Sequence, residues 1–107
     1  MELSQYSIVL VNLDPTVGSE IQKTRPCVII SPDEMNRNLR TIVIAPMTSQ
    51  SKNYPTRIKV EHNDKTGWVV IDQISTIDKQ RIIKIFQQLT NQEVSLVKQI
   101  LIETYVD

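Results

Sequence analysis

The sequence has little of several residues on which common catalytic and structural sites depend. It contains one cysteine, one histidine and two glycines among 107 residues. The lone Cys27 excludes a disulfide framework and a cysteine cluster for zinc. The lone His62 excludes a mechanism with a pair of histidines as acid and base, and we expect it to lie on the surface of a turn. With only Gly18 and Gly67 there is no glycine-rich phosphate loop.

Long apolar runs and net charge are also missing. Stretches such as Ile42–Pro46 are far too short to cross a bilayer, and the first residues lack the layout of a secretory signal, so we expect a cytoplasmic protein. The formal net charge is zero, but basic residues outnumber acids between Ile21 and Val60. This excess either forms a phosphate-binding face or is scattered over a solvated surface.

The chain length and the pattern of apolar residues indicate one β-rich domain, spanning residues 1–107. Six short segments rich in Ile and Val, separated by turn residues, are predicted as strands: Tyr6–Asn12, Cys27–Ser31, Thr41–Met47, Arg57–Glu61, Trp68–Asp72 and Arg81–Phe86. Two of them contain continuous apolar runs, as expected of strands buried on both faces.

The C-terminal segment changes to a helical period. Thr90 and Glu93 have the spacing of a capping box, and a stripe of apolar residues follows from Val94 to Tyr105. Short strands followed by one amphipathic helix predict a small barrel with a helix packed on it.

Polar residues next to the predicted strand ends are the candidates for chemistry. Arg25 stands beside Pro26, whose ring restricts the backbone, directly before a predicted buried strand. A guanidinium held in this way can bind a phosphate through two parallel hydrogen bonds, although Arg25 can equally pair with Glu20 or Asp72 on the surface. Cys27 lies inside an apolar strand, where we expect an unreactive buried thiol, and no group of acids or histidines has metal-ligand spacing.

These stretches resemble the MazF/PemK family of toxin–antitoxin ribonucleases, from Val9 to about Arg81. The motifs that carry the resemblance are Asp14-Pro15-Thr16-x-Gly18-Ser19-Glu20, Arg25-Pro26 with Ser31-Pro32, Pro46-x-Thr48-Ser49, Lys52-x-Tyr54-Pro55, Gly67 and Asp72-Gln73. The resemblance implies a mainly β fold, an SH3-like β-barrel of the CcdB/PemK/MazF type with an amphipathic C-terminal helix. It also implies a homodimer that cleaves single-stranded RNA at short sequence motifs, and we expect the reaction to need neither a metal nor another cofactor.

The resemblance also implies roles for individual residues. The family's catalytic Arg and Thr fall on Arg25 and Thr48, and an acid in the first loop falls on Glu20. In the Kid branch an Asp acts at the position of Asp72, but that branch has His at the position of Ser19 and Arg at that of Val70. The Arg/Thr scheme of the MazF branch therefore fits better, and the choice of base between Glu20 and Asp72 stays open.

Loop residues are expected to bind the RNA, with Tyr54 stacked on a base or packed on Pro55. The expected RNA-binding set is Ser19, Lys23, Thr24, Ser49, Gln50, Lys52, Tyr54, Arg57 and Gln73. Trp68 is expected in the core or at a dimer interface. The family's partner is an antitoxin whose acidic disordered tail crosses the RNA channel, and operator DNA is bound only through that antitoxin.

Two other functions are compatible with a barrel of this kind. A gyrase poison of the CcdB type acts through a C-terminal helix that ends in an exposed Trp, whereas this chain ends in Glu103-Thr104-Tyr105-Val106-Asp107. A non-catalytic SH3-like binding module would leave the polar motifs at the strand ends without a role.

Overall fold

The computed structural model describes residues 2–13, 24–50, 54–62 and 65–106, which form a curled β-sheet with a helix packed against it. The strands of the described part are β1 (Ser7–Asn12), β2 (Thr24–Ile29), β3 (Thr41–Thr48), β4 (Arg57–His62), β5 (Lys65–Val70), β6 (Ser75–Asp78) and β7 (Ile82–Gln88). A short helix α1 (Asp33–Asn38) follows β2, and α2 (Asn91–Leu101) follows β7 and continues into a π-helical segment, Ile102–Val106. The predicted barrel with a C-terminal helix is confirmed.

Strand β3 joins the two halves of the sheet because its partners change along its length. The strand order is β4-β5-β3-β2-β1-β7, and β6 pairs with β3. On one side, Thr41–Ile44 pairs with β6 and then Met47–Thr48 pairs with β5. On the other side, Ile44–Pro46 pairs with β2. The end of β3 therefore lies between β2 and β5.

Both faces of the central strands are buried, which explains their continuous apolar runs. Val28 and Ala45 belong to one core cluster with Val97 of α2, whereas Cys27 and Ile44 belong to a second cluster with Val9 of β1. Full burial of an aliphatic side chain stabilises a fold by about 1.5–3 kcal/mol. The two clusters thus hold β1, β2 and β3 in place from both sides.

Helix α2 begins where the sequence predicts. The Thr90 backbone N–H donates to Glu93 Oε1 at 2.9 Å, and the Glu93 N–H donates to Thr90 Oγ1 at 3.2 Å, which confirms the capping box. Val97 is fully buried, and the Tyr105 hydroxyl donates to the Ile71 carbonyl at 2.6 Å. The helix is therefore anchored through Val97 in its middle, and the π-helical segment after it through Tyr105.

Two predicted strands are shifted at both ends in the structure, whereas the bounds of the other four are within about two residues of the prediction. Strand β2 begins at Thr24, so Arg25 and Pro26 lie inside it, whereas the prediction began at Cys27. Proline is tolerated there because pairing with β3 begins only at Cys27, so its missing N–H costs no bond on that side. Strand β5 covers Lys65–Val70 rather than Trp68–Asp72, and a 3-10 turn holds Ile71–Gln73.

No helix in the described part of the chain is long and apolar enough to cross a membrane.

Candidate functional site

A pocket of about 310 Å³ opens at the end of β3, between β2 and β5. It is lined by Thr24, Arg25, Pro26, Met47, Thr48, Ser49, His62, Lys65, Thr66 and Gly67. Pockets for small ligands range from about 300 to 1,000 Å³. The pocket lies at the lower end of this range.

The opening lies where the backbone pairing of β2 with β3 ends. Cys27 opposite Pro46 is the outermost pair, and the next residue of β2 is Pro26. Neither proline has an N–H to donate, so the ladder stops here and the strand ends are free to line a cavity. Continuing the register by two residues brings Arg25 opposite Thr48.

Arg25 is held in the sheet by its other neighbour. It pairs with Val11 of β1, which is fully buried, and its own side chain is half-buried. The backbone from which the guanidinium extends is thus fixed by the sheet. A planar group with five N–H donors at such a position suits an anion with several oxygens.

The Thr48 hydroxyl is oriented by the chain that follows it. Its Oγ1 donates to the Gln50 carbonyl at 3.0 Å and accepts from the Gln50 N–H at 3.3 Å. Local bonds of this kind are typical of threonine in turns. They place the hydroxyl and the neighbouring Ser49 at the rim of the same pocket as Arg25.

The pocket contains two cationic side chains. These are Arg25 and Lys65. Within the described residues, no acid contributes to the lining. A cleft lined by cations and without acids attracts a negatively charged ligand. The pocket is therefore suited to a phosphate group.

Asp72 lies in a different group of side chains. The Thr56 hydroxyl donates to Asp72 Oδ1 at 2.8 Å, and Arg57 Nε lies 3.6 Å from the same oxygen. The Arg57 guanidinium stands 5.0 Å from the centroid of the exposed Tyr54 ring.

Arg57 pairs with Val70, at the opposite end of the β4–β5 hairpin from His62 and Lys65. Asp72 is therefore tied to Arg57 and does not line the pocket of Arg25 and Thr48.

The sequence analysis missed the contribution of the β4–β5 hairpin. We expected a turn from His62 to Gly67 with His62 on its surface, but β4 runs to His62 and β5 starts at Lys65. His62 is half-buried, its ring centroid lies 4.7 Å from that of Phe86, and it lines the pocket. The surface assignment of His62 was wrong. Two turn residues between alternating segments predict a tight hairpin, and this signal would have found it.

A comparison with protein-family models assigns most of the chain. Residues 4–105 match the family described as PemK-like, MazF-like toxin of type II toxin-antitoxin system. This chain belongs to that toxin family. The resemblance recognised in the sequence is thereby confirmed.

Curated relatives and solved structures agree with this assignment. The endoribonuclease toxin MazF of Escherichia coli is 34% identical over 70 residues, which cover 65% of this chain and 63% of the relative. A MazE–MazF crystal structure from Deinococcus radiodurans has a TM-score of 0.84 at 23% identity, covering 96% of this chain and 95% of that one. An endoribonuclease in complex with its cognate antitoxin, from a mycobacterial species, has a TM-score of 0.81 at 20% identity, covering 94% and 92%. At such low sequence identities, the two solved structures show only that the fold is shared.

The remaining predicted site residues divide into two sets. Glu20, Ser19, Lys23 and Lys52 lie outside the described residues. Gln50 follows the pocket rim at Ser49, and the exposed Gln73 ends the 3-10 turn beside Asp72. Trp68 is partly buried and pairs with Thr48 on β3 and Lys59 on β4.

Cys27 is buried and unsuited to nucleophilic chemistry. Desolvation by burial raises the pKa of its thiol to about 12, although the nearby Arg25 charge lowers it in part. Because the thiolate is the reactive form, Cys27 stays inert at neutral pH. The expected buried thiol is confirmed.

Metal-binding side chains do not cluster in the described ranges. Within residues 2–13, 24–50, 54–62 and 65–106, no three His, Cys, Asp or Glu residues are placed to hold a metal ion together. Independence from metal stays a prediction about the reaction.

Proposed function

We propose that this toxin is an endoribonuclease that cleaves single-stranded RNA and thereby inhibits translation and growth. The observation that carries the proposal is that Arg25 and Thr48, far apart in the sequence, line one basic pocket. The curated relatives named MazF are endoribonucleases, and this chain's match spans 63% of their length.

The nucleophile in this proposal is the RNA's own 2′-hydroxyl. It attacks the adjacent phosphorus, a new 2′-O–P bond forms, and the bond from phosphorus to the 5′-oxygen of the next nucleotide breaks. The products are a 2′,3′-cyclic phosphate and a 5′-hydroxyl. An internal nucleophile is already held beside the phosphorus, so the reaction needs no metal-activated water and selects RNA over DNA.

Arg25 and Thr48 act on the charge that develops on the phosphoryl oxygens. The Arg25 guanidinium can bind two of these oxygens at once, and the Thr48 hydroxyl supplies a further donor once its one proton turns from the Gln50 carbonyl to the phosphate. A base must take the 2′-hydroxyl proton, and a proton must reach the leaving oxygen. Since Asp72 is bonded to Thr56 and near Arg57, away from the pocket, we assign it to positioning Arg57 and favour Glu20 as the base.

The proposed protein partners are a second copy of the chain and an antitoxin that binds at the same site. We propose a homodimer whose RNA channel is blocked by the acidic, disordered tail of a cognate antitoxin, which the basic pocket would attract. Solved relatives are described as MazE–MazF and as an endoribonuclease with its cognate antitoxin. Operator DNA would be bound only through the antitoxin.

One assay tests the function. The purified toxin is incubated with a long RNA in EDTA, and the cut positions and end groups are mapped. Discrete cuts that leave a 2′,3′-cyclic phosphate support the proposal. Intact RNA together with inhibited DNA gyrase would replace it with a CcdB-type activity, and inactivity in both assays would favour a binding module.

A further inference from the structure

Gly67 is a buried glycine inside a strand, where glycine is unfavourable. It is the third residue of β5 and pairs with Val60 of β4. Glycine weakens a strand because it loses more backbone freedom on folding than other residues do and has no side chain to pack. A fold tolerates this cost where the backbone is left-handed, or where another atom comes too close to leave room for a Cβ.

Neither reason applies to Gly67 within the described part of the chain. Its φ lies outside the left-handed range. A Cβ placed on it would lie 3.5 Å from Met47 Cε and 3.5 Å from the Thr48 carbonyl oxygen, which is ordinary van der Waals contact. The described residues would therefore accept an alanine here. The missing side chain must benefit something other than their packing.

The space beside Gly67 belongs to the pocket. Pairing of β5 with β3 ends at Trp68 opposite Thr48, so Gly67 is the first residue of β5 beyond that pairing. Gly67 and Met47 are the buried members of the pocket lining and form its floor, whereas Arg25 and Thr48 are partly exposed at its rim. The floor consists of a bare backbone and a thioether side chain, and it is apolar.

We propose that Gly67 determines specificity in this pocket, because its missing side chain leaves room for one nucleobase of the RNA to lie flat on the floor. This inference rests on the proposed function. Bases of single-stranded RNA are splayed out and bound by their faces, which need no hydrogen bonds from the protein. The sulfur of Met47 makes favourable contacts with an aromatic ring. The phosphate next to this base then meets Arg25 and Thr48 at the rim.

The test adds one methyl group to the floor and removes one base from the RNA. The probe is an RNA oligonucleotide containing the mapped cut site, with a 2′-deoxy nucleotide at that site to prevent cleavage. A set of further probes carries an abasic nucleotide at each position around the cut in turn. Kd is measured for the wild type, Gly67→Ala and the control Ser75→Thr, which also adds one methyl group. Ser75 is exposed on β6 and does not line the pocket.

We expect Gly67→Ala to melt at the same temperature as the wild type or higher, because alanine loses less backbone freedom in a strand. It should raise Kd for the intact probe about tenfold, as expected when one methyl group is forced into a close contact. Ser75→Thr should keep the wild-type Kd.

The abasic probes identify what the methyl group displaces. At one position, loss of the base should weaken wild-type binding and abolish the difference between Gly67→Ala and the wild type, because no base remains to meet the methyl group. At the other positions the tenfold difference should persist. A difference that persists at every position would overturn the inference, since the methyl group would then displace some other part of the RNA.

Two further results would overturn the inference and leave the proposed function intact. One is a wild type that cleaves RNA while Gly67→Ala keeps the wild-type Kd. The other is a lower melting temperature of Gly67→Ala, which would show that the fold itself requires the glycine. RNA left intact by the wild type would overturn both this inference and the proposed function.

Discussion

Arg25 and Thr48 line the same pocket, opposite one another where the pairing of β2 with β3 has ended. Pro26 and Pro46 end that pairing because neither can donate a backbone hydrogen bond. The chain thereby leaves a cation and a hydroxyl on two rigid strands with an opening between them. Pro26 and Pro46 therefore determine the geometry of the site together with Arg25 and Thr48.

The hydroxyl of Thr48 is the first target for a test. Thr48→Val removes the donor at nearly constant volume and should lower kcat by about 10²–10³, as expected for the loss of one donor to a developing negative charge. Thr48→Ser keeps the hydroxyl and should retain activity within about tenfold. Single-turnover cleavage of an RNA oligonucleotide provides the rates. Full activity of Thr48→Val would exclude the hydroxyl from the chemistry.

Asp72 is predicted to act through Arg57. Asp72→Asn weakens the interaction that holds the guanidinium and should raise KM severalfold with little change in kcat, as should Arg57→Ala. The double variant should be no worse than Arg57→Ala, because both changes affect one interaction. Steady-state kinetics on the three variants check this. A fall of about 100-fold in kcat at unchanged KM for Asp72→Asn would instead identify Asp72 as the base.

The identity of the nucleophile can be tested in the substrate. A 2′-deoxy substitution at the nucleotide 5′ to the mapped cut should abolish cleavage, because it removes the attacking oxygen. The same substitution one nucleotide away is the matched control and should be tolerated. Gel analysis of both oligonucleotides in EDTA gives the answer. Cleavage at the substituted position would show that water, rather than the RNA, is the nucleophile.

The pKa of Cys27 predicts how stability depends on alkaline pH. Burial raises the thiol pKa to about 12 from an ordinary value of 9.0, so the folded state holds this proton more tightly than the unfolded state does. The resulting stability is fully present below pH 9 and is lost as the pH rises toward 12. Urea unfolding across this range should show the loss for the wild type and a smaller loss for Cys27→Ala.

Thiol reactivity provides a second readout on Cys27. At pH 8 an aromatic disulfide reagent should leave the native protein unmodified and react with one thiol per chain in urea. Rapid reaction of the native protein would contradict a buried thiol.

The sequence predicts the parts of this fold that have a strong period or a specific cap. The alternation in Arg57–Glu61 correctly places Ile58 and Val60 in the core, and Thr90 with Glu93 marks the start of α2. Helix α1 and strand β6 were missed because six and four residues are too few to show a period. Tertiary contacts stabilise them instead: the Asn36 amide donates to the Leu3 carbonyl at 3.1 Å, and β6 pairs with β3.

The candidate site was predicted in part, for a similar reason. Family motifs identified Arg25 and Thr48, but only the pairing of strands shows that they share a pocket. The same pairing places Asp72 with Arg57 and brings His62 and Lys65 into the pocket. These relationships depend on strand register, which short apolar segments do not specify.

The most direct test of the account compares two arginines. Arg25→Ala and Arg37→Ala are prepared alongside the wild type, since Arg37 is an exposed arginine on α1 outside the pocket. Circular dichroism should show all three folded, and cleavage of one RNA oligonucleotide is measured in EDTA. The account predicts that Arg25→Ala loses detectable cleavage, at least about 10²–10³-fold, while Arg37→Ala keeps the wild-type rate. Cleavage by folded Arg25→Ala at the wild-type rate would contradict it.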